Sequence, residues 1–336
     1  MAVHHFIIPI FITHQGCPHR CSFCNQVPVT GTDEEHSEAI SGAGVAAEIK
    51  TWMERSAHPA NAQVAFYGGS FTGLAEKRQI ELLEAVQPFI DQDLVKSIRL
   101  STRPDYISSQ TPAFLKRYHV ETVELGIQSL AQGVLDANFR GHTTADVENA
   151  IGILKEANFT VGAQLLLGLP GDSSTKAIQS ARLLSRMAPH FARLYPALVL
   201  RGSALAAMYQ KELYRPLSLH KTIALCSRIK DILEENDITV IRMGLQPSAE
   251  LAANVMAGPY HPALGELVLS RSFFKTIRRQ LAKNSGIRQI IASAKDQSII
   301  IGQKRSSLNR LESLDLLKNI QLNFSNELPR GTIKFI

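Results

Sequence analysis

FIIPIFITHQGCPHRCSFCNQ, residues 6–26, joins an apolar, β-branched run to three cysteines within eight positions. The run 6–13 predicts a strand. The loop after it carries Cys17, Cys21 and Cys24, three of the chain's four cysteines. The fourth, Cys226, lies far downstream in HKTIALCSRIKDILEEN, where Ile223, Ile229 and Leu233 share its helical stripe. An inert core thiol is the expectation there, because free cysteine is among the most buried residues.

Three thiolates at this spacing fit more than one metal. A structural zinc wants four protein ligands in a closed tetrahedron, and His14 or His19 offers the fourth. Iron–sulfur clusters are also held by cysteine thiolates, usually four. Three thiolates on a four-iron cluster leave one iron without a protein ligand, and an open metal position is where chemistry occurs.

The rest of the chain is that of an enzyme-sized globular protein. Among its 336 residues 45% are hydrophobic and 20% charged, enough for a sizeable core. No apolar run reaches the roughly 18 residues of a membrane span. The N-terminus has neither the positive region nor the cleavage site of a signal peptide. The expectation is a cytoplasmic protein with reduced thiols and no membrane partner. Net charge is +6, but it is unevenly spread. Residues 271–310 hold ten basic side chains and one acid, Asp296. Arg271, Lys275, Arg278 and Arg279 recur at helical spacing, with Phe274, Ile277 and Leu281 turned elsewhere.

Short β-branched runs alternate with amphipathic helical stretches, the pattern of parallel βαβ units. Expected strands are 6–13, 63–69, 97–102, 121–127, 160–167, 193–200 and 238–243. Without a Rossmann glycine fingerprint, this favours an α/β partial (β/α)6-type open barrel, whose chemistry sits after the strands' C-terminal ends. Residues 1–265 form this core in the sequence reading, and 266–336 a small basic C-terminal α/β lobe. In that lobe RQIIASAK and SIIIGQK look strand-like. The stretch 28–44 reads as a loop near the site.

Distinctive motifs follow the expected strands: Gly68-Gly69-Ser70-Phe71-Thr72, Ser101-Thr102-Arg103-Pro104-Asp105, LGIQS with Gln128, NFRGHT with Arg140, and AQLLLGLPG with Gln164. With Cys17-Pro-His-Arg-Cys21-Ser-Phe-Cys24, this series resembles the radical S-adenosylmethionine superfamily. The resemblance implies that the three cysteines hold a [4Fe–4S] cluster whose fourth iron is chelated by S-adenosylmethionine. One-electron cleavage of that cofactor yields a 5′-deoxyadenosyl radical that abstracts hydrogen, and the electron calls for a donor such as flavodoxin or ferredoxin. By the same resemblance Gly68, Gly69, Ser70, Ser101, Gln128, Arg140 and Gln164 contact the cofactor. Many relatives carry glutamate where Ser101 stands.

RLYPALVLRGSALAAMY and NVMAGPYHPALGELV are similar to segments of the Elongator catalytic subunit and its smaller bacterial relatives. That resemblance implies modification of a tRNA base of the wobble-uridine kind. The last seventy residues show no acetyl-CoA pyrophosphate loop, so acetyl transfer is not carried over. The basic 271–310 region is the expected tRNA contact. Radical chemistry on a small molecule such as a tetrapyrrole, and a non-catalytic metal-binding RNA module, are the alternatives. His261 is a candidate acid or base. Tyr260, Tyr195 and Arg201 are further candidates at the barrel mouth.

Overall fold

The computed structural model describes residues 6–18, 20–25, 40–55 and 61–336. His19 and residues 28–39 of the expected loop lie outside them. Seven strands form one parallel sheet: β1 (Phe6–Phe11), β2 (Ala62–Tyr67), β3 (Ser97–Thr102), β4 (Val120–Gln128), β5 (Thr160–Leu167), β6 (Phe191–Pro196) and, after a short β7 (Val199–Leu200), β8 (Thr239–Met243). The order is β1-β2-β3-β4-β5-β6-β8. Each strand is registered on its predecessor, as in Phe6↔Ala62, Gln63↔Ser97 and Gly162↔Phe191. The result is an open half-barrel.

Strand alternation builds its two faces. Ile98, Leu100, Val123, Leu125, Ala163, Leu165 and Leu194 are buried on one side. Ser101, Gly126, Gln128, Gln164, Arg193 and Tyr195 take the other side and line a cavity. Helices between the strands cover the apolar set. Helix Thr144–Glu156 shows how the sequence starts one: Thr143 and Asp146 form a reciprocal capping box, a device that contributes about 1 kcal/mol.

The expected strand 193–200 is two strands. β6 ends at Pro196, which has no N–H to give, and β7 pairs antiparallel with β9 (Val255–Ala257).

The chain divides into two compact units, one reaching residue 218 and including 229–260, the other combining 219–228 with 261–336. In the second unit, β10 (Gln289–Ser293) is central, parallel to β11 (Gln321–Ser325) and antiparallel to β12 (Ile333–Phe335). Helix Leu264–Lys283 buries Phe274, Ile277 and Leu281 in a core with Ile290, Ile300 and Leu311. SIIIGQK is not a strand: Gln297–Ile301 is helical. Ser293 turns the chain by accepting from Lys295 N. Buried Asp296 then pins the turn by accepting from Gly331 N at 2.5 Å and Arg330 Nε at 3.2 Å. Packing of Ile299 and Ile300 overrides their strand propensity.

Candidate functional site

The cysteine loop leaves β1 and is laced to the loop after β2. His14 N donates to Gly68 O at 2.9 Å, and Ser70 N donates to Gln15 O at 2.9 Å. The crossing is backbone on backbone. A Cβ on Gly16 would lie 2.1 Å from Ser70 O, and one on Gly69 would lie 2.4 Å from Gln15 O. Only glycine permits that approach.

Three other loops clamp the same segment. Asn138, fully buried after β4, accepts from Ser22 Oγ at 2.6 Å and donates to Val134 O and Pro170 O. Asn25 Nδ2 donates to Arg201 O at 2.7 Å, and Leu205 N donates to Ser22 O at 2.7 Å. Phe23 packs on Val134, Leu169, Val199 and Leu205. Hydrogen bonds and packing thus hold the segment around Cys21 and Cys24 against its neighbours.

Cys17, Cys21 and Cys24 all line one cavity of about 720 Å³, a size typical of ligand sites. Gly68, Gly69, Ser101, Gln128, Arg140 and Gln164 line it too. These residues come from strands β1 to β5 and the segments that follow them. Arg140 is buried, with Nη1 3.6 Å from Cys21 Sγ and Nη2 donating to Gly126 O at 2.6 Å. Gln128 adopts φ +66° at the bulge where β4 slips against β5. A left-handed, non-glycine residue at such a bulge is a mark of functional sites.

Ser70 is not among the residues that line the cavity. It is 1% exposed, and its hydroxyl bonds Thr102 Oγ1 at 3.0 Å and accepts from Arg103 N at 3.2 Å. It fastens the β2 and β3 loops together while Gly68 and Gly69 face the cavity. In the same loop Arg103 donates to Asp105 at 2.9 and 2.6 Å. Burial opposes the Asp105 charge, yet Arg103 holds its carboxyl below the ordinary value.

His261 belongs to the second unit, where its Nδ1 accepts from Ala263 N at 3.1 Å. Tyr260 packs against Leu198, Leu200 and Leu251. The Arg201 side chain is exposed, and Tyr195 lines the cavity. Cys226 is fully buried, and burial pushes its thiol up to about 12.

Sequence reasoning passed over the polar floor of the cavity. Glu124, with no exposed surface, accepts from Arg99 Nη1 at 3.0 Å, Tyr67 OH at 3.0 Å, Arg193 Nη2 at 2.9 Å and Gln164 Nε2 at 3.1 Å. Burial opposes the Arg193 charge, and Glu124, Tyr195 and Tyr67 together more than offset it. Burial, seconded by Glu124, raises the Tyr67 hydroxyl, which stays protonated. Also missed was His142 of NFRGHT. It is fully buried, with Nε2 donating to Ile127 O at 3.1 Å. Burial, seconded by Arg140, depresses its imidazole to about 3.

The residues present suit a thiolate-held cluster with an organic ligand beside it. Three thiols of one clamped loop face one cavity, a cation stands beside the central sulfur, and a glycine crossing leaves bare backbone nearby. Among the described residues, no group of three or more His, Cys, Asp and Glu side chains is drawn together around a single ion.

Fold and site together define a parallel half-barrel enzyme whose three-cysteine loop faces its ligand cavity. Residues 11–184 match the Radical SAM superfamily and residues 189–273 the Radical_SAM C-terminal domain. The chain belongs to the Radical SAM superfamily and is a radical SAM enzyme in class.

It is 29% identical over 240 residues to an uncharacterized protein of Methanocaldococcus jannaschii, covering 68% of this chain and 71% of that one. It is 24% identical over 265 residues to the tRNA uridine(34) acetyltransferase of the same organism, covering 68% of this chain and 49% of that one. Over 153 residues it is 30% identical to Elongator complex protein 3 of Bos taurus, covering 44% of this chain and 28% of that one. The chain thus spans about half the length of the acetyltransferase and less of the Elongator protein. Elp3 of Methanocaldococcus infernus has the same fold, with a TM-score of 0.61 at 20% identity, covering 82% of this chain and 62% of that one. The radical SAM half of the sequence reading, and its likeness to the Elongator catalytic subunit, stand.

Proposed function

We propose that Cys17, Cys21 and Cys24 hold a [4Fe–4S] cluster, and that the chain uses S-adenosylmethionine to modify a tRNA base of the wobble-uridine kind. When bound, the cluster supplies the electron for reductive cleavage of S-adenosylmethionine and hence hydrogen abstraction. The residues do the positioning. Gly68 and Gly69 offer backbone, Arg140 a fork for the cofactor's carboxylate, and Gln128, Ser101 and Gln164 hydrogen bonds for its sugar. The observation that carries this reading is the gathering of all six residues and the three thiols around one cavity.

The RNA half rests on two supports. One of the relatives named above is a tRNA uridine(34) acetyltransferase. The second unit also exposes Arg278, Arg279, Lys283, Arg288, Lys304, Arg305 and Arg310, a basic surface suited to phosphates. A small redox protein such as flavodoxin or ferredoxin is the proposed electron donor, and the cytoplasm the proposed location. Among the described residues no helix is long and apolar enough to cross a membrane.

The test is anaerobic reconstitution with iron and sulfide, reduction, addition of S-adenosylmethionine, and measurement of 5′-deoxyadenosine with and without bulk tRNA. Formation of 5′-deoxyadenosine supports the radical reading, and stimulation by tRNA the RNA substrate. Formation without stimulation favours a small-molecule substrate. A reduced cluster with no product favours a non-catalytic metal-binding RNA module.

A further inference from the structure

The cavity has a second basic wall away from the cysteine loop. Arg193 on β6 and Arg242 on β8 are register partners on adjacent strands, and both line the cavity. Neighbouring strands lie only about 4.8 Å apart, so two guanidiniums side by side repel unless anions separate them. One anion is present. Glu124 pairs with Arg193, Nε to Oε2 at 2.7 Å, but it also pairs with Arg99 at 3.0 Å. Two guanidiniums therefore share one carboxylate, whose oxygens also take Tyr67 and Gln164.

Arg242 is bonded to the neutral Gln246 and, among the described residues, to no carboxylate. Glu250, the carboxylate that lines the cavity, is exposed and forms no ion pair with either arginine among these residues. Neutral donors complete the wall. Tyr195 lines the cavity with its hydroxyl 3.4 Å from Arg193 Nη1. The Gln164 amide, in register with Arg193, is oriented by its bond to Glu124. Guanidiniums with adjacent hydroxyl and amide groups are what an oxyanion needs for several charge-assisted bonds.

We propose that Arg193 and Arg242, with Tyr195 and Gln164, form an oxyanion subsite that holds a phosphate or carboxylate group of the substrate inside the cavity. Glu124 is its positioning residue, holding Arg193 by two nitrogens so that the guanidinium is fixed before ligand arrives. That the ligand is the substrate rests on the radical reading. That an oxyanion binds does not, because Arg193, Arg242 and Tyr195 are assigned to neither cluster nor S-adenosylmethionine; Gln164 alone borders both.

The experiment uses the full chain without reductant or S-adenosylmethionine, so no turnover contributes. Binding of inorganic phosphate and, separately, acetate is measured by calorimetry at constant ionic strength. Wild type, Arg242→Gln, Arg242→Lys and a variant at the exposed Arg182, Arg182→Gln, are compared, with circular dichroism to verify folding. The expected result is one saturable site, weakened at least tenfold by Arg242→Gln, about threefold or less by Arg242→Lys, and unchanged by Arg182→Gln. Preference for phosphate or for acetate tells which group the substrate carries. The proposal is overturned if wild type binds neither anion saturably, or if Arg242→Gln binds as wild type does. It is also overturned if Arg182→Gln weakens binding as much as Arg242→Gln does. None of these outcomes touches cofactor cleavage, so the radical reading stands or falls separately.

Discussion

Arg140 bridges a strand and a loop that the sequence keeps far apart: its guanidinium donates to Gly126 O at 2.6 Å and stands 3.6 Å from Cys21 Sγ. One planar group thus ties the strand-four bulge to the central cysteine. Lysine cannot make both contacts, because an ammonium is a point charge on a flexible stem. Arg140→Lys should keep the full iron content yet bind S-adenosylmethionine about tenfold more weakly, a difference of about 1.4 kcal/mol. Equilibrium binding to the unreduced, cluster-loaded protein measures it; unchanged affinity would remove Arg140 from the cofactor site.

The cysteines divide sharply by environment. Cys17→Ala, Cys21→Ala and Cys24→Ala should each lose the cluster and all cleavage of S-adenosylmethionine. Cys226→Ala should retain both and cost on the order of 1 kcal/mol, for a small cavity at a fully buried position. Iron and sulfide analysis after reconstitution distinguishes them. Loss of the cluster from Cys226→Ala would sink the three-ligand reading.

Two glycine substitutions should move stability in opposite directions. Gly69→Ala puts a Cβ 2.4 Å from Gln15 O and 2.6 Å from Ile12 O. The loop crossing must open, with an expected loss of about 3 kcal/mol, the scale of an overpacked core. Gly152→Ala, inside helix Thr144–Glu156 with nothing within 4 Å of the new methyl, should gain about 1 kcal/mol. Thermal melts of both variants beside wild type make the comparison.

Acid should destabilise the barrel through His142. The unfolded imidazole titrates near its model value of 6.5, and the folded one near 3. Between these values the unfolded chain binds the extra proton, so stability falls as pH drops from about 6.5 toward 3, by up to about 1.4 kcal/mol per pH unit. Above 6.5 both states are neutral there and the contribution is flat. His142→Gln keeps a donor for Ile127 O and has no proton to gain. Its denaturation midpoint should therefore fall less steeply over that window; an identical slope would assign the acid sensitivity elsewhere.

Strands 97–102 and 160–167 were legible to the residue, because β-branched runs there are bounded by turn signals. The cysteine spacing and the glycine motif were equally legible, since each is a local pattern with its own chemical demand. RLYPALVL misled because one apolar run serves two strands of different sheets, and only Pro196 marks the break. SIIIGQK misled because its helical form goes with contacts distant in sequence: the packing of Ile300 in the core, and Asp296 pinning the preceding turn to Arg330 and Gly331. The place of Ser70 between Thr102 and Arg103 was not legible, because both contacts are tertiary.

What the sequence determined by itself was the alternation of strands and helices and the loop of three thiols. Both follow from neighbours a few residues apart, through strand period and ligand spacing. What only the tertiary structure decided was the polar floor around Glu124. Arg99, Glu124 and Arg193 are ordinary polar positions on separate strands. They become one network because strand curvature turns those faces inward, where a lone buried charge would cost several kcal/mol and each must find its partner.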